Sequence, residues 1–298
     1  GPRPIPERIH GMATLKSQVR LVPGVLGYDM ALSNMAASVD NLAIAGQASL
    51  SGIMTRQPTF ALKLSATPVS LDELLSHFPS QWLPEHLQRL LAEHDIKGRA
   101  EVVTATVTGS TTPAPHVSVS GEFKIFEGQA LLGKDRVRAR NLSGTIRLDP
   151  DRLRAENIAG EYGQMRITAG KLAIAFLDEG PSLELDVGGT LNTAELAATL
   201  ATSLKAPAVA GALAELHNIS GTTDVALRLT GRLNHPDGLS IPAAELTFRN
   251  TGFASPKLKE PVTGLEGRLA YSPASVEFDR ITGKLGAAAL VIHGAIAI

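Results

Sequence analysis

The chain has 298 residues, with 28 Lys and Arg against 29 Asp and Glu, a formal net charge of -1 and no cysteine. The near-neutral balance excludes a global electrostatic pull toward nucleic acid or an anionic membrane, and the missing thiols exclude disulfides, thiolate metal sites and cysteine nucleophiles. Aromatic residues are only 4%, while Ala, Val, Leu, Ile, Thr, Ser and Gly are abundant, a mixture that favours many strands with small side chains on at least one face.

Taken in chain order, the first sixty-odd residues read as strands that lead into a helix. Leu62 and Leu64 stand two apart on one strand face and are followed by VSLDELLSHF. That segment opens with Ser70 and Glu73 in capping-box spacing, and Leu71, Leu74, Leu75 and Phe78 fall on one helical face. Pro79 ends it, and Pro84 sits where a first-turn proline starts a second helix with Leu87, Leu90 and Leu91 on its buried side. Trp82, between the two helical pieces, is expected to pack them onto the end of a sheet.

Period-two alternation follows. Val103, Ala105 and Val107 oppose Thr104, Thr106 and Thr108; Val117, Val119, Phe123 and Ile125 oppose Ser118, Ser120, Glu122 and Lys124. VRARNLSGTIRL, LRAENIAGEYGQMRITAGKLAIAF and SLELDVGGT continue the pattern, which predicts about five strands. A helix signal then returns at TAELAATL after Thr193, with Pro207, Val209, Leu213 and Leu216 echoing the second helix.

The echo is an internal repeat. Gly98 and Gly221, Pro84 and Pro207, Gly160 and Gly283, and Gly163 and Gly286 are all 123 residues apart, and Glu73 and Glu195 are 122 apart. Val225, Leu227 and Leu229 keep the apolar parity of Val103, Ala105 and Val107, and a one-residue slip would have turned that set to water. The expected organisation is a preceding β-repeat ending at 68, a complete repeat over 69–190 and a second, incomplete one over 191–298. With a start at Gly-Pro and an end inside an apolar strand pattern, the chain is expected to be a piece of something longer.

No motif nominates catalysis. There is no Gly-x-Ser-x-Gly elbow, phosphate-cradling loop or His-Glu-x-x-His, so an enzyme is not expected, nor a cofactor, a metal or a nucleic-acid partner. His86 and His94 lie eight apart rather than four, His235-Pro236-Asp237 reads as a turn, and His293 reads as an outward or rim residue. Arg136, Arg138 and Arg140 share one strand face opposite Val137 and Ala139, part of a basic cluster from Lys134 to Arg154 that reads as solvated surface or as a head-group or partner patch. Asn141-Leu-Ser and Asn218-Ile-Ser match short glycosylation acceptors and receive no role.

A sheet with one apolar face must cover it with another sheet, with helices, or with something that is not protein. Two short helices per repeat are too few. Two readings stay open at this point: sheets folded face to face, or a long curved sheet whose apolar trough holds acyl chains.

GKLGAAALVIHGAIAI, preceded by FDRITG, resembles the Gly-punctuated strands of the AsmA-like superfamily, and VSLDELLSHFPSQWLPEHLQRLLAEHDIKGRAEV resembles its YhdP branch. The resemblance implies a mainly β fold: a repeated, strongly curved antiparallel sheet forming an elongated apolar groove, with short capping helices between repeats. It also implies a passive conduit for phospholipid transfer across the periplasm, within an inner-membrane-anchored protein whose other parts meet inner- and outer-membrane components. The side chains expected to line the groove are Val103, Val107, Val119, Phe123, Ile125, Leu183, Leu185, Leu227, Leu229, Leu290 and Ile292. The competing expectation, carried by the TamB relatives of the superfamily, is an assembly scaffold that aids outer-membrane protein biogenesis by strand-edge pairing.

Overall fold

The computed structural model describes residues 14–24, 27–39, 42–77, 85–110, 116–132, 136–177, 179–203, 211, 213–233 and 239–297. Four strands come first: β1 (Thr14–Gly24), β2 (Gly27–Val39), β3 (Leu42–Ser51) and β4 (Thr59–Ser70). Helices α1 (Leu71–His77) and α2 (Glu85–Glu93) precede β5 (Lys97–Ser110), β6 (His116–Leu132), β7 (Val137–Asp149), β8 (Arg152–Tyr162), β9 (Met165–Leu177) and β10 (Gly180–Asn192). Helix α3 (Thr193–Ser203) leads to β11 (His217–Arg232), β12 (Leu239–Ala254), β13 (Val262–Ser272), β14 (Ser275–Leu285) and β15 (Ala288–Ala297).

The fifteen strands form one sheet in chain order, from β1 at one edge to β15 at the other, and every strand pair whose register is defined is antiparallel. This is an open sheet, not a barrel. The chain separates into two compact units, Gly1–Leu131 with Ser143–Pro150, and Leu132–Leu142 with Asp151–Ile298. No helix among the described residues is long and apolar enough to cross a membrane.

Between α2 and α3 there are six strands rather than about five. The run LRAENIAGEYGQMRITAGKLAIAF is not one strand but the β8–β9 hairpin, in which Tyr162 pairs with Met165 and Gly163 takes φ +60° at the turn. A Gly-Gln pair inside an apolar run had concealed the turn. The Ser70 cap is realised: the Glu73 backbone N–H donates to Ser70 Oγ at 3.1 Å, and α1 packs on β4 and β5 as α3 does on β10 and β11. Trp82, Phe78, Pro207 and Val209 lie outside the described residues.

A recurring kink organises the strands. Asp95, Asn141, Asn157, Asn218 and Arg280 all have φ between 44° and 55°, and each begins a four-residue stretch of the form x-Ile/Leu-x-Gly. Asn tolerates the left-handed region better than most side chains. Register slips accompany the kinks at His217/Ser220 in β11 and at Phe278/Ile281 in β14; a third slip, at Phe248/Thr251 in β12, contains left-handed Asn250. These are β-bulges, which bend a strand and raise its twist.

The left-handed residues Glu127, Asn250 and Arg280 each face a glycine on the neighbouring strand. A Cβ on Gly221 (φ +94°) would lie 2.6 Å from the Asn250 carbonyl oxygen and 2.7 Å from Thr251 Cα; one on Gly267 (φ +140°) would lie 2.5 Å from Ile281 Cα. Gly98 (φ +135°) makes the same close approach to Gly128 Cα, 2.7 Å. Gly98 and Gly221 of the repeat are therefore seats for bulges on the adjacent strand, whereas Gly163 and Gly286 sit at turns.

Candidate functional site

In the first unit, strand register aligns apolar side chains into transverse rows. One row runs Leu21, Met30, Leu50, Phe60, Gly109, Val117; the next runs Val19, Leu32, Ala48, Leu62, Val107, Val119. Val107 and Val119 are buried, while Val19 and Leu21 on the edge strand are 64% and 59% exposed. Phe123 and Ile125 continue the face on β6, partly exposed.

Val103 is displaced from this pattern. The register slips between Val102 and Thr104, so that Val102, not Val103, is the partner of Phe123 and of Ala66. Strict alternation fails at a bulge because two residues oppose one. Val103 instead borders a depression of about 630 Å³ whose lining includes the row Ala37, Ile44, Ala66 and Val102. Small side chains leave that volume.

In the second unit the rows are equally regular. Leu185 pairs with Leu172 and Leu229; Val187 pairs with Leu227, which continues through Ala244, Tyr271 and Val276 to Ile296. Leu183 lies between Ile174 and Gly231, Leu290 opposite Gly283, and Ile292 opposite Ile281. Leu183, Leu185, Leu227 and Leu229 stay partly exposed although strands flank them on both sides. A covering second sheet would have buried them.

The opposite face is ionic. Arg228 donates through Nε to Asp186 at 2.6 Å, Arg249 pairs with Asp224 at 2.5 Å, and Arg268 pairs with Glu245 at 2.6 Å. In the first unit Arg147 meets Glu122 at 3.0 Å and Lys124 meets Glu101 at 3.7 Å. The Arg228 hydrogen bond holds the Asp186 carboxyl below its ordinary range, and bonds from Thr190 and Arg249 do so for Asp224. All five pairs are exposed, so they mark the wet face more than they stabilise the fold. On β7, Arg138 and Arg140 are exposed and Ala139 between them is fully buried.

Sequence reasoning passed over a buried hydroxyl cluster. Thr193 Oγ1, at the start of α3, lies 2.9 Å from Thr223 Oγ1 and 3.2 Å from Thr251 Oγ1, with all three residues buried. Its signal was weak, since isolated threonines on strands are ordinary. The histidines do not converge: His94 Nδ1 lies 2.8 Å from the Leu131 carbonyl oxygen and His293 is exposed on β15. Among the described residues no three His, Asp or Glu side chains are grouped to hold a metal.

In each unit the site is thus a surface, one face of the strands with open apolar rows and an opposite face that is charged. No curated protein and no solved structure matches the chain. A family model described as YhdP protein matches residues 12–296.

Proposed function

The chain belongs to the YhdP family, within the AsmA-like group, and we propose that it is a passive conduit in which phospholipid acyl chains lie along the apolar rows during transfer across the periplasm between the inner and outer membranes. The family membership supports a role in envelope lipid transport. The observation that carries the finer reading is the partial exposure of Leu183, Leu185, Leu227 and Leu229 on strands paired along both edges. Such rows offer acyl chains an apolar surface that the protein does not fill itself.

Energetics favour this use. At about 0.8 kcal/mol per buried CH₂, taking two long acyl chains out of the groove into water costs roughly 20 kcal/mol. Sliding from one leucine row to the next exchanges similar contacts and costs far less. Guidance of this kind needs no catalytic group and no cofactor, and it sets no direction, which an energy source outside these rows must supply. Head groups stay in water at the open side of the sheet.

The test is photo-crosslinking in living cells, with a photoreactive amino acid at Phe123 or Leu227 and, as controls, at their wet-face neighbours Lys124 or Arg228. Lipid adducts at Phe123 and Leu227 alone are expected. Equal adducts at all four positions, or none in a folded protein, would overturn the reading.

A further inference from the structure

The apolar face of the second unit is not uniform along its strands. Strands β11 to β14 each have one end toward α3 and the bulges and another toward the hairpin tips that join β11 to β12 and β13 to β14. At the helix end, Val262, Leu265 and Ile281 are 4%, 7% and 4% exposed; the partly buried Phe248, Phe253, Leu285 and Leu290 pack against them, and Phe278 borders them from the Leu269 row. Thr223 and Thr251 are buried beside them. At the tip end, Leu239 and Ile241 are 48% and 42% exposed, and Leu227, Leu246, Leu269 and Tyr271 are partly exposed.

Helix α3 accounts for the burial at that end: it packs on β10 and β11, and Thr193 at its start meets the Thr223 and Thr251 hydroxyls. Side chains already covered there leave no free surface for a methylene chain, whose carbons need about 3.5–4.0 Å from protein carbons. Toward the tips the rows are partly exposed, as in Val225–Leu246–Leu269, although β11 and β12 slip once more at Arg228/Thr230.

We propose that acyl chains in this unit occupy only the hairpin-tip half of the apolar face, from the Val225–Leu246–Leu269 row outward, and that the helix-side half is a sealed spine that lipid never enters. This rests on the conduit reading above and adds where on the face the lipid runs. Leu227, Leu229, Leu239 and Ile241 are then contact residues, whereas Leu265 and Ile281 hold the shape of the floor. The edge strand β15, exposed along nearly its whole length, falls outside this division.

The chain has no cysteine, so single cysteines report cleanly in a full-length protein made cysteine-free. Leu246→Cys and Ile241→Cys probe the open half; Leu265→Cys and Thr223→Cys probe the spine, and a circular dichroism melt of each spine variant separates a folding defect from exposure of the native spine. Reaction with a water-soluble maleimide is timed before and after loading from vesicles of phosphatidylethanolamine and phosphatidylglycerol.

The open-half cysteines should react quickly when lipid-free and at least about tenfold more slowly when loaded, while the spine cysteines stay unreactive in both states because their exposure needs local unfolding. Lipid-dependent protection at Leu265→Cys or Thr223→Cys would overturn the division yet leave the conduit standing. Protection at no position, in a protein that retains no phospholipid, would overturn both.

Discussion

The two helix seats of the chain, one repeat apart, are built from opposite chemistry on the same backbone. Under α3, Thr193, Thr223 and Thr251 form a buried hydroxyl cluster. The positions 122 or 123 residues earlier are Leu71, Ala100 and Gly128, an apolar set with Ala100 only 1% exposed. What does not change is the pinch beside each seat, where a Cβ added to Gly98 would lie 2.7 Å from Gly128 Cα and one added to Gly221 would lie 2.7 Å from Thr251 Cα. The repeat therefore transmits a backbone device, a left-handed bulge residue and the glycine that receives a bulge, and leaves the side-chain filling free to vary.

Breaking that device should give the largest and most equal effects. Gly221→Ala and Gly98→Ala each force a Cβ into a neighbouring backbone at positive φ, and each is expected to destabilise by about 2–4 kcal/mol, read as a shift in the denaturation midpoint. An effect at one glycine and none at the other would mean that the two pinches are not equivalent.

The filling, by contrast, should respond at one seat only. Thr223→Val leaves the Thr193 hydroxyl with one partner fewer and should cost about 1–3 kcal/mol. Because both groups belong to one network, Thr193→Val combined with Thr223→Val should cost less than the sum of the two single changes.

The bulge residue itself sharpens the comparison further. Asn218 has φ +53°, so Asn218→Ala should cost about 1 kcal/mol and Asn218→Gly close to nothing. Circular dichroism melts of the two variants separate a conformational role from a contact made by the side chain.

The smallest effects belong to the wet face. Asp186 and Asp224 have lowered folded pKa values, from bonds to Arg228 and to Thr190 and Arg249 respectively. Their contribution is present above the unfolded-state value near 3.9 and is lost as pH falls through the lower folded values. Exposure limits it to at most about 1 kcal/mol each. Asp224→Asn should therefore lower neutral-pH stability by up to about 1 kcal/mol, leave stability at the acid extreme nearly unchanged, and so flatten the acid limb of the stability curve.

Much of this was legible in the residues. Period-two alternation located the strands, the capping box located α1, and the spacing of glycines exposed the repeat. Alternation failed at Val103 because a bulge inserts one residue without changing composition, so parity must be recovered from both sides of the kink. The left-handed residues were visible as Asp95-Ile-x-Gly, Asn141-Leu-x-Gly, Asn157-Ile-x-Gly, Asn218-Ile-x-Gly and Arg280-Ile-x-Gly, yet two of them were set aside as chance glycosylation acceptors. The hydroxyl cluster was illegible, because Thr193, Thr223 and Thr251 meet only through strand register.

The central claim is that the open apolar rows hold lipid, and phospholipid retained by the purified full-length protein tests it most directly. Leu227→Glu plants a charge in a row, while Arg228→Glu places the same charge one residue away on the wet face. The account predicts that Leu227→Glu abolishes co-purifying phospholipid and that Arg228→Glu retains it at the wild-type ratio. Equal phospholipid in both folded variants would contradict it.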